Sequence, residues 1–357
     1  MAVLACPFLL MGADSGCVFT PTADTIVTTG TVKIDGRIAE FDSNGKFVAW
    51  HDGTVTLNVN GTNLASVATV SQKWTYPSVA VKAGVNRIKG TTSRGPGGTI
   101  KGTIQEFVLE RRTDLNATGE QKVFFDWSDA GIDDILQDIA KLSLNPDPSA
   151  ADLTAFAADV RDGVKTFVLN AYKGTKVTLA GAAGPGVHVI KFFGNSYTVC
   201  GLYGESPGDF KNTNKTQTSN IYLNTFRCAA QPQTPGGTDS RLLTETPARA
   251  TDSLAQRVKD ISTFIGRTAA HEFGHSLGLT AEGDVLVGLH GCEGMHNCSG
   301  YESTLPIDRF DDGHYMMDPG PKSKLHARIG QENTTTRKEQ MPRFNAYNRS
   351  YLLIVVQ

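Results

Sequence analysis

At 357 residues the chain is long enough for two ordinary domains, and 39% hydrophobic residues with 37 glycines describe a loop-rich globular protein. Lys and Arg number 34 against 36 Asp and Glu, a formal charge of -2, so no broad basic field favours nucleic acid or an anionic membrane surface. No apolar run approaches the roughly 18 residues that a membrane-spanning helix requires.

The chain opens on MAVLACPFLLM, almost wholly apolar, and its first basic residue is Lys33. Residues 1–19 therefore carry two readings. One is the remnant of a signal or lipoprotein leader, with Val3-Leu4-Ala5-Cys6 as its cleavage box; the other is an apolar first strand. The six cysteines fall in three sequence-local pairs, Cys6 with Cys17, Cys200 with Cys228 and Cys292 with Cys298, and none forms a CxxC unit. That pattern suits disulfides in an oxidising compartment, and the expectation is a secreted or cell-envelope protein.

Residues 20–112 read as strand and turn throughout. Asn44-Gly45 and Asp52-Gly53 stand between apolar flanks and suit tight hairpin turns. Val55, Leu57 and Val59 alternate with polar residues, the period of a half-buried strand. Val79 and Val81 repeat the pattern, and Ile100 to Leu109 closes the sheet. Short strands at this spacing predict an all-β sandwich, similar to the immunoglobulin-like modules appended to secreted bacterial enzymes. Trp50, Trp74 and Tyr76 are expected in its core rather than on a sugar-binding platform.

Residues 113–122 read as a polar linker, and residues 123–357 as a separate domain that mixes helix and strand. Leu153, Phe156, Val160, Val164, Phe167 and Ala171 recur at steps of three and four, one apolar helical stripe, with Gly174 as a stop just beyond it. Strands are expected at Lys176–Leu179, Val187–Phe193 and Ile221–Phe226. A second helix begins near Ser253 with Leu254, Val258, Ile261 and Ile265 on one side. It either breaks before Thr268 or runs through it.

Thr268 to Leu279 reads TAAHEFGHSLGL. Its core is His271-Glu272-x-x-His275-x-x-Gly278. Residues four apart share a helix face, so two imidazoles can converge on one metal. Glu272, beside the first of them, is placed to act on water as a general base without filling the coordination shell. Downstream stands Tyr315-Met316-Met317-Asp318-Pro319. Together the two segments resemble the metzincin clan of zinc peptidases, closest to its matrixin-like branch of secreted bacterial type. The resemblance implies a multi-domain protein in which the N-terminal sandwich precedes an α+β zincin-like catalytic domain. It also implies one catalytic zinc held by His271 and His275, Glu272 as general base and acid, and a protein or peptide substrate. A methionine turn is implied beneath the metal, with Met317 the best match and Met316 the alternative. An antiparallel edge strand holding extended substrate is implied too, with Ile221–Phe226 as its candidate.

The chain departs from that pattern in one place. The family's third histidine stands six residues after the second, and here that position is Ala281. His296, bracketed by Cys292 and Cys298, is the first choice for the third ligand; His290, Asp284 and His314 are the alternatives. Glu282, Glu293, Asp311 and Asp312 are candidates for calcium or for orienting imidazoles, with solvated loop charge as the plainer account. The polar loop with Asp209, Asn212, Asn214 and Asn220 lacks EF-hand spacing. The competing function is an extracellular or cell-surface structural or binding protein that keeps a peptidase fold without turnover. Ala281 favours it and the intact Glu272 opposes it.

Overall fold

A computed structural model describes residues 14–21, 25–42, 46–143, 149–230, 253–279, 315–318, 325–331 and 339–357. They fall into two compact units, one drawn from the chain up to Leu115 with Ala346–Tyr351, the other from Asn116 onward with Leu352–Gln357. Both helix and strand are present, and strand is abundant. Among the described residues no helix is long and apolar enough to cross a membrane.

The first unit holds β1 (Asp14–Thr20), β2 (Thr25–Val27), β3 (Thr31–Phe41), β4 (Phe47–His51), β5 (Thr54–Val59), β6 (Thr62–Asn63), β7 (Val67–Ala68), β8 (Trp74–Ala80), β9 (Gly84–Arg94) and β10 (Ile100–Arg111). They form one connected path, β4-β3-β1-β10-β9-β5-β6, with β8 on β3, β2 on β10 and β7 on β5. Long strands change partners along their length: the first half of β3 pairs with β8 and the second with β4. Alternate residues point inward, so Val32, Ile34 and Ile38 of β3 join Val55, Leu57, Trp74, Ile88 and Leu109 in one core. Tyr76 ties β8 to β5, its hydroxyl 2.8 Å from Val55 O and accepting from the Leu57 N–H at 3.2 Å. Gly36 is demanded by packing, because a Cβ there would stand 2.4 Å from the Trp74 indole.

Three expectations change here. The sheet begins at Asp14, inside the stretch 1–19 read as leader or first strand; residues 1–13 lie outside the described residues. Asp52-Gly53 is not a hairpin turn, since β4 pairs with β3 while β5 pairs with β6, β7 and β9. The Asp52 carboxylate instead accepts from Thr69 Oγ1 and the Gln72 N–H, both at 2.8 Å. The hairpin lies one strand later at Asn60-Gly61, whose φ values of 52° and 90° suit a two-residue turn. Finally, Ala346–Tyr351, read as part of the second domain, belongs to the first unit. There Tyr347 OH donates to the buried Glu110, and Ser350 Oγ accepts from the Ile26 N–H at 2.8 Å. Asn44-Gly45 lies outside the described residues.

The second unit has a five-stranded sheet of β11 (Gln121–Asp126), β12 (Val177–Leu179), β13 (Val187–Phe193), β14 (Gly204–Glu205) and β15 (Thr218–Tyr222), in the order β12-β11-β13-β15-β14. All its pairings are parallel except β14 with β15. Its helices among the described residues are α1 (Ile132–Ser143), α2 (Ala150–Ala171), α3 (Leu223–Ala230), α4 (Leu254–Ser276) and α5 (Leu325–Arg328). α2 starts on a capping box between Ser149 and Asp152, which satisfies two otherwise orphaned N–H groups. Its stripe of Leu153, Phe156, Val160, Val164 and Val168 is buried. Val168 takes the place expected of Phe167, whose Cβ would be 2.9 Å from a Cβ on Gly266 of α4. Gly163 and Ser262 make a similar close approach, and two such points draw α2 and α4 together. β11 starts at Gln121, within the stretch read as linker.

The expected strand Ile221–Phe226 is corrected. The strand is Thr218–Tyr222, the chain turns helical at Leu223, and the antiparallel edge of the sheet is β14. A short apolar run reads equally as strand or helix from its pattern, and β13 with β14 on either side places Thr218–Tyr222 inside the sheet. Cys200 and Cys228 form a disulfide with Cα atoms 6.2 Å apart, which closes the segment carrying β14 and β15.

Candidate metal centre

α4 runs unbroken through the histidine segment. Ser253 caps it by accepting from the Gln256 N–H. Its end is a Schellman arrangement: Gly278 N–H bonds to His275 O, Leu279 N–H bonds to Gly274 O, and Gly278 has φ 91°. That left-handed conformation suits glycine and turns the chain sharply off the helix.

His271 and His275 lie one turn apart on one face. Their Nε2 atoms are 3.1 Å apart and their rings stand at 89°. His271 Nδ1 is 2.7 Å from Met316 O; a carbonyl only accepts, so Nδ1 carries the proton and Nε2 of the neutral ring presents its lone pair. Two imidazole nitrogens about 2.05 Å from a zinc ion at a tetrahedral angle are about 3.3 Å apart. The two nitrogens are therefore spaced as two ligands of one zinc ion would be.

Glu272 follows His271 on the face against the sheet edge. It is 7% exposed, and a Cβ on Gly204 of β14 would stand 2.8 Å from its Cγ. Only glycine lets the edge strand lie this close to the carboxylate. Burial, with the Glu205 carboxylate adding repulsion, pushes Glu272 up to about 8. A cation held by the neighbouring imidazoles would draw it back down.

Tyr315–Asp318 forms a turn beside these residues, with Asp318 N–H on Tyr315 O. Arg267 of α4 donates to Tyr315 O at 2.7 Å, and Met316 N–H bonds to Arg343 O at 2.7 Å. Met316 and Met317 are fully buried. They divide the work: Met316 supplies the carbonyl to His271, while Met317 packs under the helix, its Sδ 2.8 Å from where a Gly274 Cβ would be.

The structure thus brings together His271, Glu272, His275, Met316 and Met317. His296, His290, Asp284 and His314 lie outside the described residues, as do Glu282, Glu293, Asp311, Asp312, Cys292 and Cys298. Among the described residues no group of three or more His, Cys, Asp or Glu is placed to hold a metal. The Asp209 carboxylate accepts from Thr213 Oγ1 and the Asn214 N–H, both at 2.6 Å, and braces its own loop. The Asp209 N–H also bonds to His275 O at 3.1 Å.

Four supporting residues stand outside any sequence motif. Tyr172 OH donates to Ala270 O at 2.7 Å with its ring against Phe273. His188 lies on the same Phe273 ring and bonds through Nε2 to Ser219 Oγ at 2.9 Å. Gly204 and Glu205 form a two-residue strand too short for any periodic signal. The Tyr-Gly-Glu tripeptide at 203–205 carries no motif of its own.

No protein-family model matches the chain, and no curated protein matches it significantly.

Proposed function

We propose that the chain is a zinc-dependent endopeptidase of metzincin-like fold. The observation that carries this reading is the pair of Nε2 atoms 3.1 Å apart on one face of α4, with the His271 tautomer fixed by Met316 O. The antiparallel edge strand β14 laid against Glu272 supports it, because extended substrate in that clan lies along such an edge. His271 and His275 hold the metal with a third ligand, His296 first and His290, Asp284 or His314 otherwise. When bound, zinc supplies Lewis acidity toward water and the scissile carbonyl. Glu272 takes the water's proton and passes it to the leaving amine. The close packing of Gly204 keeps bulk water from the buried side of that carboxylate. The Cys200–Cys228 disulfide supports a secreted or cell-envelope location.

Plasma mass spectrometry on the full chain tests the metal directly. The expected result is one zinc per chain, lost in His271→Ala and His275→Ala and in one variant among His296→Ala, His290→Ala, Asp284→Ala and His314→Ala. Glu272→Gln is expected to keep the zinc and lose about 100- to 10,000-fold in peptide cleavage. A chain that takes up no zinc even after reloading returns the weight to the structural-protein reading, which Ala281 favours. Equal inertness of wild type and Glu272→Gln on a broad peptide library removes the peptidase reading.

A further inference from the structure

The β14 edge, along which the proposed substrate lies, also carries the Glu205 carboxylate. Tyr222 N–H bonds to Tyr203 O at 2.9 Å, and the register pairs Gly204 with Ile221 and Glu205 with Asn220. Hydrogen-bonded and non-bonded pairs alternate across an antiparallel ladder. Tyr203 bonds inward, so the Gly204 N–H and C=O point away from β15, toward the outer side of the sheet. Those are the groups an added strand engages.

A peptide bonded to Gly204 places one of its residues directly opposite Glu205. That pair is of the non-hydrogen-bonded kind, with Cα atoms about 4.5 Å apart and side chains on the same face. Glu205 is exposed and its direction is fixed: Oε1 accepts from Tyr222 OH and from Asn220 Nδ2 at 3.2 Å. Both donors meet one oxygen. Glu272 packs on the opposite face of the strand, at Gly204, which leaves Glu205 as the carboxylate on the face it shares with that peptide side chain.

We propose that Glu205 is a specificity-determining residue that selects peptides with Lys or Arg at the position paired with it. The proposal rests on the peptidase reading for its role in cleavage, and on the geometry of β14 alone for binding. An opposite-charge cross-strand pair favours basic over neutral side chains by up to about fivefold at such an exposed position. An acidic side chain there meets like charge and is disfavoured.

The test profiles cleavage of a synthetic peptide library, randomised at every position, by the full chain as wild type, Glu205→Gln and Glu205→Lys. Gln keeps the oxygen that Tyr222 and Asn220 bond, so the strand stays formed. The expected result is basic enrichment at a single position in wild type, lost in Glu205→Gln and turned to acidic enrichment in Glu205→Lys. An unchanged profile across the three, or a rate change uniform over all sequences, overturns the proposal; the second outcome assigns Glu205 to tuning Glu272 instead. If wild type cleaves nothing, the peptidase reading fails, and binding decides this one. Lysine- and glutamate-bearing versions of one ten-residue peptide are then titrated calorimetrically against wild type and Glu205→Gln. A lysine preference that requires Glu205 sustains the proposal, and equal binding of the two peptides removes it.

Discussion

The sheet of the first unit and helix α4 of the second bury very different things. In the sheet the interior is aliphatic and aromatic; apart from the Glu110–Arg112 pair at the end of β10, polar groups such as Asn86 brace the backbone. Asn86 bonds to Lys82 O, Gly84 O and the Lys82 N–H. Along α4, Arg257, Asp260, Ser262, Thr263, Arg267, Glu272, His275 and Ser276 are all buried on a single helix. Taking polar and charged groups out of water costs several kcal/mol unless partners replace it, and apolar residues would serve a merely structural helix better. The contrast locates demand: the sheet is selected for packing, and α4 for holding polar groups at fixed positions.

Removing the centre of the packed region gives the largest stability effect. Trp74 is fully buried and sits over Gly36, so Trp74→Ala is expected to destabilise the first unit by about 3–5 kcal/mol. Urea unfolding followed by circular dichroism measures it, since the fluorescence of Trp74 itself is removed. Zinc stoichiometry in the same variant is expected to stay at wild-type level. Loss of zinc along with stability would show the two regions to be one energetic body and would end the comparison.

The surroundings of α4 should respond to acid through His188 of β13, whose ring lies on Phe273. Burial holds the His188 imidazole at about 3, against an ordinary value of 6.5. Its folded value is depressed, so the unfolded chain binds the extra proton below pH 6.5. The neutral ring's contribution is complete above that pH and is lost as pH falls toward 3. Between pH 7 and pH 4 this amounts to on the order of 3 kcal/mol. His188→Gln keeps a group able to bond Ser219 and removes the titration. Its unfolding free energy is expected to fall less steeply over that window than wild type's. Parallel pH curves for the two proteins would remove His188 as a source of acid lability.

How much of this could be read beforehand divides along the same line. The spacing of His271 and His275 determines their shared face as soon as the segment is helical, and the apolar stripe of α2 is periodic enough to read directly. Val187–Phe193 reads as a strand from its composition because it lies in the sheet interior. Asp52-Gly53 and Asn60-Gly61 look alike locally. Asn60-Gly61 makes the hairpin by local pairing of β5 with β6, whereas Asp52-Gly53 does not because β4 pairs with β3 and β5 with β9, some thirty residues away in sequence. β14 is shorter still: its two residues acquire their meaning only when β15 and Glu272 are packed on either side. Ile221–Phe226, the edge-strand candidate the resemblance implied, is the end of an inner strand followed by a helix.

The smallest predicted effect concerns the packing of Met317 against α4. Met317 touches α4 at Gly274, where even one added methyl group would come within 2.8 Å of its sulfur. Gly274→Ala therefore forces a displacement and is expected to destabilise by about 1–3 kcal/mol. Met317→Leu nearly conserves volume and is expected to cost less than about 1.5 kcal/mol, with one zinc per chain retained. The His271 proton is held by the Met316 carbonyl, not by a methionine sulfur, so the imidazole tautomer survives the change as long as the turn does. Thermal unfolding and metal content of the two variants measure this directly. If Met317→Leu released zinc while remaining as stable as wild type, the sulfur would have a role that packing does not supply, and the division of labour between Met316 and Met317 would be wrong.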